Sequence, residues 1–163
     1  MLFILMKGAT RRGLSFGLTS GVITTLGVII GLDSSTESKL AVVGGILTVA
    51  IADAFSDALG MHNSQESVKG NGRGAIWSAT FATFFAKFFV GLSFLVPFLF
   101  FELSRAVVVD VILGAVLLII FTYNVSKVRG TNFLTEIIKH LFFAGVVMVI
   151  TYYVGVGIRM WFG

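Results

Sequence analysis

The sequence predicts an all-α integral membrane protein with five transmembrane helices, and two kinds of observation predict it. The first is composition: of the 163 residues, 56% are hydrophobic and only 12% are charged, and the mean hydropathy is +0.99. A soluble domain carries about 25% charged residues, so this chain has too little polar surface to cover itself in water. The second is the presence of five long apolar runs separated by short polar stretches. We therefore expect a single transmembrane domain over residues 1–163.

Each apolar run is long enough to cross a bilayer as a helix, which takes about 20 residues. The runs lack the period-2 alternation of barrel strands, so helices are favoured over a transmembrane β-barrel. The predicted helices span residues 13–32, 40–62, 75–101, 105–126 and 134–161. The polar stretches between them read DSSTESK at 33–39, NSQESVKGNGRG at 63–74, ELSR at 102–105 and KVRGTN at 127–132.

The basic residues outside the spans predict how the chain is oriented, because cytoplasmic loops carry an excess of Lys and Arg. One side of the predicted bundle holds Lys7, Arg11, Arg12, Lys69, Arg73, Lys127, Arg129 and Lys139, and the other holds Lys39, Arg105 and Arg159. This asymmetry predicts a cytoplasmic N-terminus and a C-terminus outside. Because these residues lie at segment ends rather than along one face, we do not expect a nucleic-acid partner. The expected surroundings are membrane lipid.

The first predicted span carries small residues at helical spacing. Gly13, Gly17 and Gly21 are four residues apart, and so are Gly27 and Gly31. Small residues at this spacing let two helix backbones approach closely. The partner helix could belong to the same protomer, or the stripe could be the seam of a homodimer formed through the first helix. The sequence alone favours neither.

The second predicted span carries two carboxylates inside an apolar run. Asp53 and Asp57 lie at positions i and i+4 and therefore on one helix face. A carboxylate at the centre of a bilayer costs at least about 2.5–3.5 kcal/mol, so the pair should face the bundle interior, a water cavity or a cation. Carboxylates suit a hard divalent metal ion. Met61, His62 and Glu66 follow towards the end of this span and are predicted to line a cytoplasmic entrance.

Lys87 offers a competing explanation for the first of these carboxylates. It lies near the middle of the third span, at a depth that matches Asp53 in the second. An Asp53–Lys87 ion pair could simply neutralise both groups, and it would leave Asp57 unpaired. Asp110 is interpreted as a structural carboxylate at the start of the fourth span. No Ser–His–Asp or His-Glu-x-x-His arrangement is present, so we expect neither an enzyme nor a permanently bound cofactor.

Four stretches, in the same order along the chain, resemble the vacuolar iron transporter family. The stretches are GLTSGVITTLGVIIGL at 17–32, GGILTVAIADAFSDALG at 44–60, FVGLSFLVPFLF at 89–100 and VSKVRGTNFLTEIIKHLFFAGVVMVITYYVGVGI at 125–158. The resemblance covers nearly the whole chain, although each pattern is loose. It implies five membrane helices in a homodimer that moves Fe²⁺ or Mn²⁺ out of the cytosol, in exchange for protons, through a pore between the protomers.

This chain departs from the family pattern at the pore ligands that the resemblance implies. Ser20 stands where the family has Asp, Val49 where it has Glu, and Asp57 where it has Met. Asp53 and Lys87 also replace residues that are uncharged in the family. Only a short loop joins the second and third spans, so the chain resembles a short member without the cytoplasmic metal-binding domain. Carboxylates in place of a thioether favour harder cations.

Together these features predict a proton-coupled exporter of divalent metal ions. Asp53 and Asp57 would bind the metal ion, Fe²⁺ or Mn²⁺, as substrate, while Ser20 and Thr24 would line the pore with neutral oxygens. Lys87 would neutralise Asp53 in one state and release it to a cation in another. The alternatives are a non-transporting scaffold or regulator with the same fold, and a transporter of another ion or of a small solute. A prokaryotic plasma membrane is the default expectation for the location.

Overall fold

The computed structural model of the chain describes residues 8–163, and within that range every regular element is an α-helix. Five helical segments are long and apolar enough to cross a membrane, so the all-α class and the number of spans are confirmed. Each segment has 27 to 30 residues and extends beyond the predicted apolar run, because polar first and last turns continue the helix. Lys7, used in the count of basic residues, lies outside the described residues. The helices are α1 Gly8–Thr36, α2 Lys39–Glu66, α3 Arg73–Ser93, α4 Val96–Phe100, α5 Leu103–Arg129 and α6 Phe133–Phe162.

The third span is not the single helix predicted over 75–101. α3 ends at Ser93 and α4 begins at Val96, with Pro97 in the first turn of α4. Proline has no backbone N–H and clashes with the carbonyl four residues earlier, so it is tolerated only in a first turn. The amides of Phe94 and Leu95 instead bond carbonyls three residues back. The proline therefore divides this span into two helices.

α1 is the central helix, since it packs against α2, α3, α5 and α6. Its glycines make this possible. A Cβ built on Gly17 would lie 2.6 Å from the carbonyl oxygen of Thr83 on α3, and one on Gly27 would lie 2.9 Å from Val147 on α6. Thr83 Oγ1 also donates across the same contact to the carbonyl of Gly13, at 3.1 Å. The small-residue stripe is thus used within the protomer, and the homodimer stays a prediction.

Apolar side chains divide between the interior and the outer surface of the bundle. Val22, Leu26, Ile29, Ile46 and Phe94 form part of a buried cluster around α1. Many large apolar side chains point outward instead, among them Phe55, Phe89, Leu99, Phe142 and Ile150. An apolar exterior on this scale is what lipid-facing helices present.

Candidate functional site

Four polar side chains meet where α1, α2 and α3 pack together, and we name Ser20, Asp53, Asp57 and Lys87 the charged cluster. Lys87 Nζ lies 2.5 Å from Asp53 Oδ2 and forms a second ion pair with Asp57 Oδ2. The same ammonium donates to Ser20 Oγ at 3.0 Å, and Ser20 Oγ lies 2.8 Å from Asp57 Oδ2, to which it donates. A single ammonium therefore contacts two carboxylates and a hydroxyl.

Helix packing explains why these side chains meet. Ala50, Ala54 and Ala58 form the buried stripe of α2, and a Cβ on Gly91 of α3 would lie 3.0 Å from Ala50. Small residues on both helices thus bring their backbones close together. Asp53 and Asp57 each precede one of these alanines, so both carboxylates lie beside the α2–α3 contact and within reach of Lys87.

The charges of the cluster are buried to different degrees. The Lys87 side chain is only 3% exposed, whereas those of Asp53 and Asp57 are 27% and 21% exposed. The Lys87 stem is held by packing, because a Cβ on Gly21 would already lie 3.3 Å from Lys87 Cγ. The cation is thus enclosed by protein, while the two carboxylates lie at the flank of the protomer.

The two carboxylates are also held unequally. Asp57 accepts hydrogen bonds from both Lys87 and Ser20. Asp53 Oδ2 is close to the ammonium but has no hydrogen bond of acceptable geometry to any residue in 8–163. The short distance between Lys87 Nζ and Asp53 Oδ2 makes this an ion pair, because charge attraction depends on distance and not on the angle at the oxygen. Asp53 therefore keeps unused acceptor capacity.

The predicted Asp53–Lys87 pair is confirmed, but the expectation that it leaves Asp57 unpaired is wrong. A single ammonium can reach both carboxylates because they are one helical turn apart. Two carboxylates against one ammonium leave an excess of one negative charge. Across residues 8–163 no three His, Cys, Asp or Glu side chains come together in one group. The oxygen ligands that one protomer offers are therefore the two carboxylates and the Ser20 hydroxyl.

The other predicted site residues lie apart from the charged cluster. Thr24 Oγ1 donates to the carbonyl of Ser20 at 2.8 Å, and its side chain lines a groove between α1 and α6. His62 Nδ1 lies 3.1 Å from Thr80 Oγ1, and its ring packs edge-on against Trp77. Met61 is half-buried, and Glu66 is exposed as the last residue of α2. The structure thus groups Ser20 with Lys87 and both aspartates, and leaves Thr24, Met61, His62 and Glu66 outside that group.

No protein-family model matches this chain, and a search of curated proteins finds no match either. The resemblance to the vacuolar iron transporter family therefore rests on the four quoted stretches and their order. The charged cluster has to be interpreted from its own chemistry.

Asp110 is a second intramembrane carboxylate, and sequence reasoning misjudged its position. It was expected at the start of its helix, but α5 begins at Leu103, which places Asp110 two turns inside. The residue is 0% exposed, and neither carboxylate oxygen has a hydrogen-bond partner among residues 8–163. Asp110 lies four residues after the buried Ala106 and four before the buried Gly114. This spacing is the sequence signal that could have placed it on the inner face of α5.

Proposed function

We propose that this protein transports a cation across a membrane, and that the charged cluster is where the cation binds. The observation that carries the proposal is the charge imbalance of the cluster: two carboxylates share one buried ammonium. A single carboxylate would neutralise Lys87, so the second adds a negative charge that packing does not need. Because both carboxylates are partly exposed, an ion can approach them from the flank of the protomer.

The substrate class follows from the ligands. Carboxylate and hydroxyl oxygens are hard ligands that suit Mg²⁺ and Mn²⁺, and they bind Fe²⁺ less selectively than a site with sulfur or imidazole. The resemblance of the sequence to metal exporters points to Fe²⁺ and Mn²⁺. We therefore propose export of an Fe²⁺- or Mn²⁺-type divalent ion from the cytosol. A homodimer through the first helix and a prokaryotic plasma membrane accompany the proposal as predictions.

The cluster also supports a way to couple the metal to a proton. In one state Lys87 pairs with both carboxylates, and in another it releases Asp53 to the cation. Movement of a proton compensates the charge of the cation, so that transport depends on a pH gradient.

Uptake into proteoliposomes tests the proposal. Fe²⁺, Mn²⁺ and Mg²⁺ are offered with and without a pH gradient to the native protein, to Asp57→Asn and to Glu102→Gln. Glu102 is the matched control, because its carboxylate is 72% exposed and, among residues 8–163, pairs with the neighbouring Arg105 alone. We expect the native protein and the control to move Mn²⁺ or Fe²⁺, and Asp57→Asn to lose that transport. Transport by Asp57→Asn at the native rate would overturn the assignment.

A second candidate function is a non-transporting membrane scaffold or regulator. The observation that favours it is the enclosure of Lys87, whose side chain contacts both carboxylates and is 3% exposed. With this function, the carboxylates and the ammonium of the charged cluster would only compensate one another's charge inside the bundle. Folded, correctly oriented protein that moves none of the three ions, with or without a gradient, would support it.

A further inference from the structure

A second polar region lies at the end of the bundle where α1 and α6 begin and α5 ends. It is a cavity of about 540 Å³ between these three helices, and we name it the basic end cavity. The Lys and Arg count predicts that this end is cytoplasmic. Its lining combines basic side chains and hydroxyls with apolar surface: Arg11, Arg12, Ser15, Phe16, Thr19, Thr122, Val125, Ser126, Arg129, Thr131, Glu136 and His140, together with Gly8.

The cavity has a positive charge that the protein does not neutralise. Three arginines line it against one carboxylate, that of Glu136. Glu136 is paired with Lys139 at 3.1 Å, so it is not available to the arginines. Neither Arg11 nor Arg129 forms an ion pair with any residue in 8–163. Residues 1–7, MLFILMK, contain no Asp or Glu that could supply one.

Arg12 is held in place by a neutral group, which fixes its position and keeps its charge. Its Nε and Nη2 donate to Gln65 Oε1 at 3.2 and 2.7 Å. Gln65 is 4% exposed and is itself held by Asn71 Nδ2. A carboxylate at this position would have cancelled the charge of Arg12, whereas the neutral amide does not.

A buried hydroxyl in the wall of the cavity has no hydrogen-bond partner. Ser126 is 2% exposed, and its Oγ bonds no residue in 8–163. Most buried polar atoms in native proteins are hydrogen-bonded, so an unpaired one indicates a missing ligand, ion or water. One turn earlier on α5, Thr122 Oγ1 lies 2.8 Å from His140 Nδ1. The wall of the cavity therefore presents a hydroxyl beside the arginines.

We propose that the basic end cavity binds a phosphate group, carried by a phospholipid headgroup or by a small soluble phosphate. Guanidinium groups match phosphate oxygens in paired hydrogen bonds, and a hydroxyl such as Ser126 Oγ adds a neutral donor. The volume holds a phosphate together with part of the group that carries it. Phe16, 44% exposed at this cavity, gives an apolar surface beside it. This site is separate from the charged cluster, and the inference does not depend on metal transport.

Two binding measurements on the detergent-purified full chain test the proposal. Native mass spectrometry counts bound phosphatidylglycerol, with phosphatidylcholine as the comparison lipid, and isothermal titration calorimetry measures inorganic phosphate at constant ionic strength. The variants are Arg129→Gln, Arg11→Gln and Ser126→Ala. Arg105→Gln is the matched control, because Arg105 is 75% exposed at the opposite end of the bundle.

We expect one of the two probes to bind native protein and the Arg105→Gln control equally well. Arg129→Gln and Arg11→Gln should each weaken that binding about tenfold, the size expected for one hydrogen bond to a charged group. Ser126→Ala should weaken it several-fold while leaving the melting temperature unchanged or higher, which a purely structural hydroxyl would not do. Binding of phosphatidylglycerol that inorganic phosphate does not displace identifies a lipid site, and binding of inorganic phosphate identifies a soluble ligand. The proposal is overturned if neither probe binds, or if Arg105→Gln weakens binding as much as Arg129→Gln does.

Discussion

Replacing Lys87 by Met should destabilise the protein far more than replacing either aspartate that pairs with it. Methionine keeps an unbranched apolar stem beside Gly21 but removes the ammonium. Asp53 and Asp57 then face each other one turn apart without a cation, and the net charge of the cluster falls from −1 to −2. Asp53→Asn or Asp57→Asn changes the charge in the opposite direction, to zero, and leaves Lys87 paired with one carboxylate.

The structure gives the size of this effect. Removing one member of a buried ion pair costs about 3–5 kcal/mol. The aspartate side chains are 27% and 21% exposed and therefore less enclosed than a fully buried pair, so we expect the low end of this range, about 3 kcal/mol, for Lys87→Met. For a chain of this size that is a fall in melting temperature of about 6–12 °C. Each single Asp→Asn change should cost about 1 kcal/mol or less, since a cation with one partner remains paired.

A triple variant checks the reasoning. Lys87→Met combined with Asp53→Asn and Asp57→Asn removes all three charges, and a neutral replacement of a buried ionic group is often neutral or stabilising. Its melting temperature, measured in detergent by circular dichroism, should return to within a few degrees of the native value. If the triple variant melts as low as Lys87→Met, the loss comes from packing and not from charge. A Lys87→Met variant that melts at the native temperature would refute the ion-pair account altogether.

Three further predictions concern other parts of the bundle, and melting temperature in detergent measures each of them. Gly17→Ala should cost about 1–3 kcal/mol by overpacking, because its Cβ would lie 2.6 Å from the Thr83 carbonyl oxygen. A Cβ on Gly145 of α6 would meet no atom of residues 8–163 within 4 Å, so Gly145→Ala should cost nothing, and equal losses would contradict the packing of α1. Asp110→Asn should leave stability unchanged or raise it, because no hydrogen-bond partner in residues 8–163 compensates the buried carboxylate. A loss of stability above about 2 kcal/mol would indicate a partner that these residues do not provide. Asn132→Ala should cost about 1 kcal/mol, because the Asn132 side chain caps α6, and Asn132→Asp should retain most of that stability.

The number and class of the spans could be predicted because hydropathy measures what the bilayer requires. The bounds of the helices could not be predicted, because the first and last turns that extend each helix are polar and hydropathy does not detect them. The break before Pro97 has a clear physical cause, yet the apolar run continues through it and predicted one helix over 75–101. The misplaced Asp110 has a similar origin, because an apolar run does not show that α5 begins as early as Leu103.

The candidate site was predictable only in part. The matched depths of Asp53 and Lys87 indicated their pairing as one of two explanations, because a charge in a bilayer needs a partner. The contact of Lys87 with Asp57, and the part of Ser20 in it, depend on how closely α1, α2 and α3 approach. The Thr24 hydroxyl bonds the preceding turn of its own helix, an option open to any helical threonine, and its place in a pore stays a prediction. The arginines of the basic end cavity had been considered only as indicators of orientation.

The composition of the charged cluster bears directly on the choice between transport and scaffolding. Neutral residues of similar size would fill this part of the bundle at equal or lower free energy, and one aspartate with one lysine would already be balanced. The cluster instead keeps a second carboxylate, and Asp53 Oδ2, although it pairs with Lys87, accepts no hydrogen bond from any residue in 8–163. A structural role does not require the second carboxylate, whereas the proposed cation site would use it. The triple variant separates the two functions: if the native protein moves a divalent ion in liposomes and the equally stable triple variant does not, the charges serve transport and not the fold.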